Sequence, residues 1–588
     1  MVEKMTEEQK EFLNAEGKVV INACPGSGKT YTVAHKLLSY VDNWEDYHSG
    51  VAVLSFTNVA SNEIYEKAQS IHGSLGKLGY PHFIGTVDSF IDEFIVLRYG
   101  HLHTVGKVRP RIALSDNWKI PYKYWRSECN KNGCVDNIEQ FYYGVDKKLY
   151  KGNEQVICDR RKAKMLPCQQ YKKMLSDRGI VFQNETALFA YQLLKKYPEV
   201  AAAIAERFPI IIIDEVQDTS ISQMAVFDLL SESGMKSIFL VGDPDQSIYE
   251  WRNANPKCML QKLEDPNWET IELTGNFRSS QNICNVTSLF SASLQGNGSN
   301  NAIGEWKDEK EKPVLLLTKK NSEDEIINYF LDKCSKMGIE ILPKNVAVLT
   351  RGRIYSDTDI AGLWKSKEIE LFAKAAYEWK CGSRKKAYQE ASKASYSMIF
   401  NEDIDEYVMN QNIRKYTDDD TWKDYVIDIL VDMPDDETEI GEWVKSFSTF
   451  FYSVCARYGY EISIDKKLKD IFKIKQSDKK TPNFKQIPLR KYFEKKTEGK
   501  YTRSSIHGVK GESYDAVLIY VKSRTGSTIT PKLLMEGPLD QELMRLAYVA
   551  MTRPRRLLML AMLDTKGIKT CERFSEKLWK YEVLEGGS

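Results

Sequence analysis

No apolar run in these 588 residues is long enough to span a bilayer, which excludes a membrane-crossing helix. Neither sign of charge dominates: 83 Lys and Arg against 82 Asp and Glu leave a net charge of +1. A bulk polycation is therefore excluded, and any nucleic acid has to be met by local basic patches. A disulfide framework is missing too. The eleven cysteines are an odd number without framework spacing. Cys129, Cys134, Cys158 and Cys168, spaced C-x₄-C…C-x₉-C, match no common metal pattern. Internal repeats and low-complexity segments are absent. The opening Met1-Val2-Glu3-Lys4 is not a signal peptide. These absences lead to the expectation of a reduced, soluble, cytoplasmic protein with free thiols. Hydrophobic residues at 42% are ample for cores, and the length predicts three or four domains of about 150 residues each.

What is present starts with Val19-Val20-Ile21-Asn22-Ala23-Cys24-Pro25-Gly26-Ser27-Gly28-Lys29-Thr30. It reads as a short buried strand, a Gly-rich turn and the first turn of a helix. Backbone N–H groups in such a turn can surround a polyphosphate, and the helix dipole favours the negative charge. Lys29 can reach the terminal phosphates and the Thr30 hydroxyl can hold Mg²⁺. Ala23 departs from the strict pattern G-x-x-x-x-G-K-[ST] at its first place. On this stretch alone, an ordinary strand-to-helix turn is the competing reading.

A second stretch, Phe208-Pro209-Ile210-Ile211-Ile212-Ile213-Asp214-Glu215-Val216-Gln217-Asp218, carries the same argument further. Four isoleucines suit a central parallel strand buried on both faces. Asp214 and Glu215 then sit at its C-terminal end, where α/β sheets place ligands. Asp214 is suited to holding Mg²⁺ and Glu215 to polarising an attacking water. Another buried strand, Ile238–Val241, runs into Gly242-Asp243-Pro244-Asp245-Gln246-Ser247-Ile248-Tyr249-Glu250-Trp251-Arg252. Gln246 can sense a terminal phosphate. Tyr249, Trp251 and Arg252 offer faces on which bases stack, worth about 1–3 kcal/mol per base. A core role for Trp251 is equally compatible with its local sequence.

Residues 5–16 read as a helix capped by Thr6, with Phe12 and Leu13 facing inward. Gln9 on it carries the donor and acceptor that pair with an adenine edge, although a lone Gln is commonly a surface residue. Val51–Phe56 followed by Thr57 and Asn58, and Phe83–Phe90 around Thr86, repeat the strand-then-helix form. Small polar residues there can hold phosphates or simply connect elements. From about 100 to 200, Lys107, Arg109, Arg111, Lys119, Lys123 and Arg126 interleave with Trp118, Tyr122, Tyr124 and Trp125, and Arg160 to Lys164 add a second basic cluster. A nucleic-acid face and a solvated helix face both fit. Residues from about 355 to 500 read as a charge-segregated helical insertion. Strand patterns at Val314–Leu317, Val346–Leu349, Ala516–Val521 and Leu557–Ala561 bracket it, and the last of these is expected to end the core.

In this order, the stretches resemble the UvrD/Rep-type superfamily 1 helicases over about residues 1–100, 170–350 and 500–565. The resemblance implies an α/β fold with two RecA-like parallel-sheet domains forming an ATP cleft, each with a largely helical insertion. The expected division is 1–100 and 190–271 for the first domain, with 101–189 inserted. The second takes 272–354 and 501–588, with a reduced accessory domain at 355–500. The resemblance further implies that Gln9 reads adenine and that Phe277 lies against the base. The loop Ala23, Cys24, Pro25, Gly26, Ser27, Gly28, Lys29 and Thr30 holds the phosphates, with Thr30 and Asp214 on Mg²⁺. Glu215 activates water, Gln246 couples phosphate to the strand, and Arg278 and Arg553 reach across the cleft. Phe56, Thr57, Asn58, Thr86, Tyr249, Trp251, Arg252 and His507 line a single-strand channel. Asp88 stands where many members have His, and Glu512-Ser513 follows Lys510-Gly511 where members often have Leu-Glu. The implied activity is ATP-dependent, 3′ to 5′ unwinding of tailed duplex DNA, stimulated by single-stranded DNA. The compact form is also similar to helicases that accompany an OLD-family nuclease in Gabija-type phage defence. That similarity implies an alternative: a DNA-sensing ATPase that licenses a partner nuclease.

Overall fold

The computed structural model describes residues 5–72, 78–113, 141–146, 148–151, 154–155, 167–250, 253–294, 300–319, 323–350, 364–400, 409, 413, 417–462, 472, 474, 484–497, 501–521 and 529–584. The chain divides into two compact units, one of residues 1–116, 120–354 and 501–588, the other of 117–119 and 355–500.

The first unit holds two six-stranded parallel sheets. One contains β1 (Lys18–Ala23), β2 (Val51–Ser55), β3 (Phe83–Thr86), β4 (Ile210–Ile213), β5 (Ser237–Gly242) and β6 (Glu269–Leu273), in the order β6-β1-β5-β4-β2-β3. The second contains β7 (Val314–Thr318), β8 (Val346–Thr350), β9 (Thr502–Ser505), β10 (Tyr514–Tyr520), β11 (Pro554–Leu563) and β12 (Lys580–Leu584), in the order β9-β8-β10-β11-β7-β12. Parallel strands buried on both faces read as unbroken apolar runs, and β4 is four buried isoleucines. Alternate residues feed opposite cores. Ile210 and Ile212 join Val19, Ile21 and Phe239 on one face, while Ile211 and Ile213 join Val20 and Leu240 on the other. Each buried isoleucine contributes about 1.5–3 kcal/mol.

β12 was not expected, because Leu557–Ala561 looked like the end of the core. It is an edge strand, half-exposed along its length, so no apolar run announces it. Within 101–189 the described residues also depart from the helical expectation. Arg111–Ala113 pairs with Ile180–Phe182, and 141–143, 149–151 and 154–155 form a small antiparallel sheet beside the helices Pro167–Asp177 and Thr186–Lys196. Most of the basic and aromatic residues noted there, from Trp118 to Arg126 and Arg160 to Lys164, lie outside the described residues.

The second unit is helical where described, with helices Lys367–Lys380, Arg384–Phe400, Asp419–Asp432, Ile440–Tyr458 and Leu489–Thr497. Phe447 is its centre, stacked on Trp443 at 4.8 Å and 4.7 Å from Phe372. Its acidic run has a local use. Asp418 caps the helix that follows, accepting from the Thr421 N–H at 2.8 Å.

Phe208 anchors the start of β4. Its buried ring sits 4.7 Å from Phe94 and 5.3 Å from Phe90, edge-on to both. Phe208→Ala should destabilise the first unit by about 3–5 kcal/mol. Urea unfolding followed by tryptophan fluorescence checks this, and a shift under about 1 kcal/mol would contradict the anchoring role.

Candidate active site

The C-terminal edge of the first sheet and the loops of the second enclose a cavity of ≈ 620 Å³. Its floor is the turn between β1 and the helix Lys29–Val41 (α2). Gly26 and Gly28 take φ of +76° and +78°, the left-handed backbone that glycine adopts without cost. A side chain at Gly26 would also collide, since its Cβ would lie 2.6 Å from Asn276 Oδ1. The Phe277 N–H donates to the Gly26 carbonyl at 2.8 Å, so the second lobe, which is the second sheet with the segment that leads to it after β6, is bonded directly to the turn of the first lobe, built on the first sheet. Gln9, on the helix Glu7–Asn14 (α1), donates its amide to the Ser27 carbonyl at 3.1 Å. Thr6 and Gln9 form a reciprocal capping box that fixes this orientation. Lys29 Nζ points back to the Ala23 carbonyl at 3.5 Å.

Asp214 follows β4, and its N–H donates to the Leu54 carbonyl at 2.8 Å. Glu215 adopts φ +56°, rare for a residue with a side chain, and this turns its carboxylate into the cavity. Gln217 donates to Glu215 Oε2 at 2.6 Å while accepting from the Asp243 N–H at 3.1 Å. Burial and then the Glu215 charge push Asp214 up to about 7. Burial opposes ionisation of Glu215 as well, but Lys510 and Lys29 outweigh it and hold that carboxyl at about 2. The pair therefore divides into one carboxyl that resists charge and one that keeps it.

The second lobe supplies the cations. Arg553 is fully buried, and its Nη2 donates to Gln246 Oε1 at 2.9 Å. Gln246 in turn donates to Asp243 Oδ2 at 2.6 Å, so one amide joins the lobes. Arg278 donates to the Thr552 carbonyl at 3.1 Å, and burial beside Arg553 and Arg555 lowers its pKa to about 9. Two crowded guanidinium groups on one cavity suit an anion of several charges. Ser27 Oγ, buried in the turn and without a partner among the described residues, suits the same ligand.

On the same cavity, the Phe56 ring stacks on Tyr249 at 5.1 Å, and His507 lies 6.0 Å from Tyr249. Thr57 and Thr30 line it as well. Ala23, Cys24 and Pro25 stand behind the turn, with the Cys24 N–H donating to the Leu273 carbonyl at 3.0 Å. Asn58 opens the helix Asn58–His72 and is exposed, while Thr86 caps the helix Val87–Phe90 through Ser89; neither lines the cavity. Asp88 accepts from Gln223 Nε2 at 2.7 Å. Trp251 and Arg252 lie outside the described residues.

Two residues in the site were not singled out from the sequence. Gln217 orients Glu215. Lys510 forms ion pairs with Asp218 and with Glu215, the latter at 3.4 Å, donates to the Gln246 carbonyl at 3.0 Å and lies 5.0 Å over the Tyr249 ring. Their signals were available inside the stretches Asp214–Asp218 and Val509–Glu512, where a charged or amide group stands among motif residues. Glu512 lines the cavity, while its carbonyl accepts from Arg553 at 3.4 Å. Among the described residues no group of three or more His, Cys, Asp or Glu gathers for a metal. The Thr30 hydroxyl and the Asp214 carboxylate are hard oxygen donors of the kind Mg²⁺ takes together with substrate phosphates.

Residues 5–267, somewhat under half of the chain, match the UvrD/REP helicase N-terminal domain. The chain is 27% identical over 283 residues to Gabija protein GajB of Bacillus cereus (strain VD045), covering 48% of each protein. It is 27% identical over 300 residues to the ATP-dependent DNA helicase PcrA of Staphylococcus aureus (strain Mu50 / ATCC 700699), covering 48% of this chain and 39% of PcrA. To DNA helicase II of Haemophilus influenzae it is 28% identical over 339 residues, covering 55% of this chain and 45% of the relative. The matches thus span about half the length of these relatives, or less.

Lys510 neutralises the buried Asp218, which is 1% exposed. Lys510→Met should cost up to about 3–5 kcal/mol by leaving that carboxylate unpaired. Adding Asp218→Asn should recover most of the loss in urea unfolding at neutral pH, and a double variant no more stable than Lys510→Met would refute the pairing.

Proposed function

We propose that the chain is an ATP-driven DNA translocase that unwinds duplex from a single-stranded tail, 3′ to 5′ by family resemblance. The observation that carries this reading is the position of Gln246. Its side chain is held by Asp243 and Arg553 from opposite lobes, and three residues later Tyr249 stacks on Phe56. A change in how Gln246 is held therefore acts on the stacking surface through a short, rigid stretch. In this reading Lys29 and the turn amides grip the triphosphate, and Gln9 and Phe277 take the base. Thr30 and Asp214 would hold Mg²⁺, which would neutralise phosphate charge there. Glu215, kept ionised by Lys510 and oriented by Gln217, polarises the attacking water. Arg278 and Arg553 stabilise charge on the transferred phosphoryl, a role worth roughly 10³–10⁵ in rate where such an arginine is complete. Phe56, Tyr249 and His507 give bases a stacking surface with little sequence preference, and contacts to the strand's phosphates make binding weaken strongly with salt. Asn58, Thr86, Trp251 and Arg252 belong to that channel by resemblance. The setting proposed is the cytoplasm. No helix among the described residues is long and apolar enough to cross a membrane.

The similarity to Gabija protein GajB supports a second reading, a DNA-sensing ATPase subunit that licenses an OLD-family nuclease in phage defence. The two readings separate on unwinding. The purified chain should hydrolyse ATP faster with single-stranded DNA than with RNA, and Lys29→Ala should lower that rate by roughly 10²-fold or more. It should displace the strand of a 3′-tailed duplex and leave a 5′-tailed duplex intact. DNA-stimulated hydrolysis without displacement favours the second reading; hydrolysis unchanged in Lys29→Ala refutes both.

A further inference from the structure

Among the described residues Lys36 is the most deeply buried lysine of the first lobe, 2% exposed, and it lies off the cavity. No carboxylate reaches it within ion-pair distance among the described residues. Its Nζ donates instead to two main-chain carbonyls, Leu13 at 2.9 Å and Ala15 at 2.6 Å. It rests over the rings of Phe239 at 4.5 Å, Tyr40 at 5.0 Å and Phe12 at 5.7 Å. Those carbonyls are at the C-terminal end of α1, where a cation also meets the negative end of the helix dipole. Burial lowers the Lys36 pKa to about 8, so this lysine is kept at a cost in solvation. A methionine would fill the same apolar space without that cost.

What the arrangement secures is the placement of α1. Lys36 lies in α2, two turns beyond Lys29, so it ties the end of α1 to the helix that starts at the phosphate turn. At the other end, the Glu8 carboxylate accepts from Thr274 N at 2.9 Å and from Thr274 Oγ1 at 2.5 Å. Thr274 stands three residues before Phe277, whose N–H is bonded to Gly26. Between these two ties sits Gln9, its Oε1 accepting from the Thr6 N–H at 3.1 Å and its Nε2 directed to Ser27. Gly28 separates Gln9 from the Phe277 ring: a Cβ on it would lie 3.3 Å from Gln9 Nε2 and 4.0 Å from Phe277 Cδ2. Phe277 lines the cavity and Gln9, 3% exposed, stands behind Gly28, so the proposed base subsite and the residue behind it are referred to one frame.

We propose that Lys36 and Glu8 are positioning residues for base selectivity: they hold α1 in register with the phosphate turn so that Gln9 meets the base of the bound nucleotide. The proposal rests on the reading of the cleft as ATP-hydrolysing. It requires Lys36 to act through Gln9 and not on the phosphates, so its removal must affect one nucleotide more than another. The test is kcat/KM for ATP and for GTP, with saturating single-stranded DNA, in the full-length chain and in Lys36→Met, Glu8→Gln, Gln9→Ala and Lys36→Met/Gln9→Ala. The wild type should prefer ATP. Lys36→Met and Gln9→Ala should each reduce the preference by about tenfold, Glu8→Gln should reduce it in the same direction, and the double variant should match Gln9→Ala. An equal fall for both nucleotides in Lys36→Met overturns the proposal, because a general structural role moves them together. If Lys36→Met fails to fold, Glu8→Gln decides, and an unchanged preference there overturns it. A wild type that hydrolyses both nucleotides equally well also overturns it while leaving the ATPase reading intact. A wild type that hydrolyses neither overturns both.

Discussion

A single glutamine amide joins the two lobes at the cleft. Gln246 donates to Asp243 of its own lobe and accepts from Arg553 of the other, and all three residues are buried. In a low-dielectric setting an amide that lost one of these partners would bear the full cost of a buried unsatisfied group, about 1–3 kcal/mol. The guanidinium is constrained in the same way: its Nε donates to the Val549 carbonyl, its Nη2 also to Thr552, and its Nη1 to the Glu512 carbonyl. The two lobes therefore have few states in which all of these groups are satisfied together. This limits the cleft to discrete arrangements, which is what a nucleotide-driven cycle needs.

The same logic orders the charges. Three acidic groups line the cavity, Asp214, Glu215 and Asp218, with Asp243 buried against Gln246, and the second lobe answers with Lys510, Arg553 and Arg278. Lys510 neutralises Asp218 and keeps Glu215 ionised, while Asp214 is left with the raised pKa. A carboxyl in that condition favours any cation brought near it, which agrees with Asp214 as a partner for Mg²⁺. The two arginines are in the opposite condition, crowded cations favouring an anion. Complementary deficits on facing walls fit a metal-bound polyphosphate better than a neutral ligand of the same volume.

Legibility in the sequence followed burial. Strands that are apolar throughout, such as Ile210–Ile213 and Val346–Thr350, were readable because both faces are covered. The edge strand Lys580–Leu584 was not, since one side meets solvent and its pattern is mixed. The short strands near residues 111, 143 and 180 are only three residues long, too short for a period to show. In the site, groups with a characteristic spacing were legible, above all Gly26, Gly28, Lys29, Asp214 and Glu215. Gln217 and Lys510 stood inside legible stretches, but their roles come from contacts that the pattern does not show: Gln217 with Asp243, 26 residues on, and Lys510 with Asp218, 292 residues back; Lys36 was not legible at all, because main-chain carbonyls leave no trace in side-chain pattern.

The stretch from Asp243 to Glu250 shows why such partners matter. Its groups are taken up one after another across the lobe boundary. Asp245 accepts from Ser291 Oγ and from the N–H groups of Ala292 and Ser293. Gln246 meets Arg553, the Ser247 carbonyl accepts from Arg545 at 2.7 Å, and Glu250 forms an ion pair with the same Arg545. Arg545 and Arg553 stand near the two ends of one helix, Glu542–Met551. A rigid helix with a buried arginine at each end cannot shift one contact without straining the other. The strand-end loop that carries Tyr249 is thus held at several points by a single body. Displacement of that body on nucleotide binding would be transmitted to the stacking surface as a whole, without any need for a residue-by-residue path.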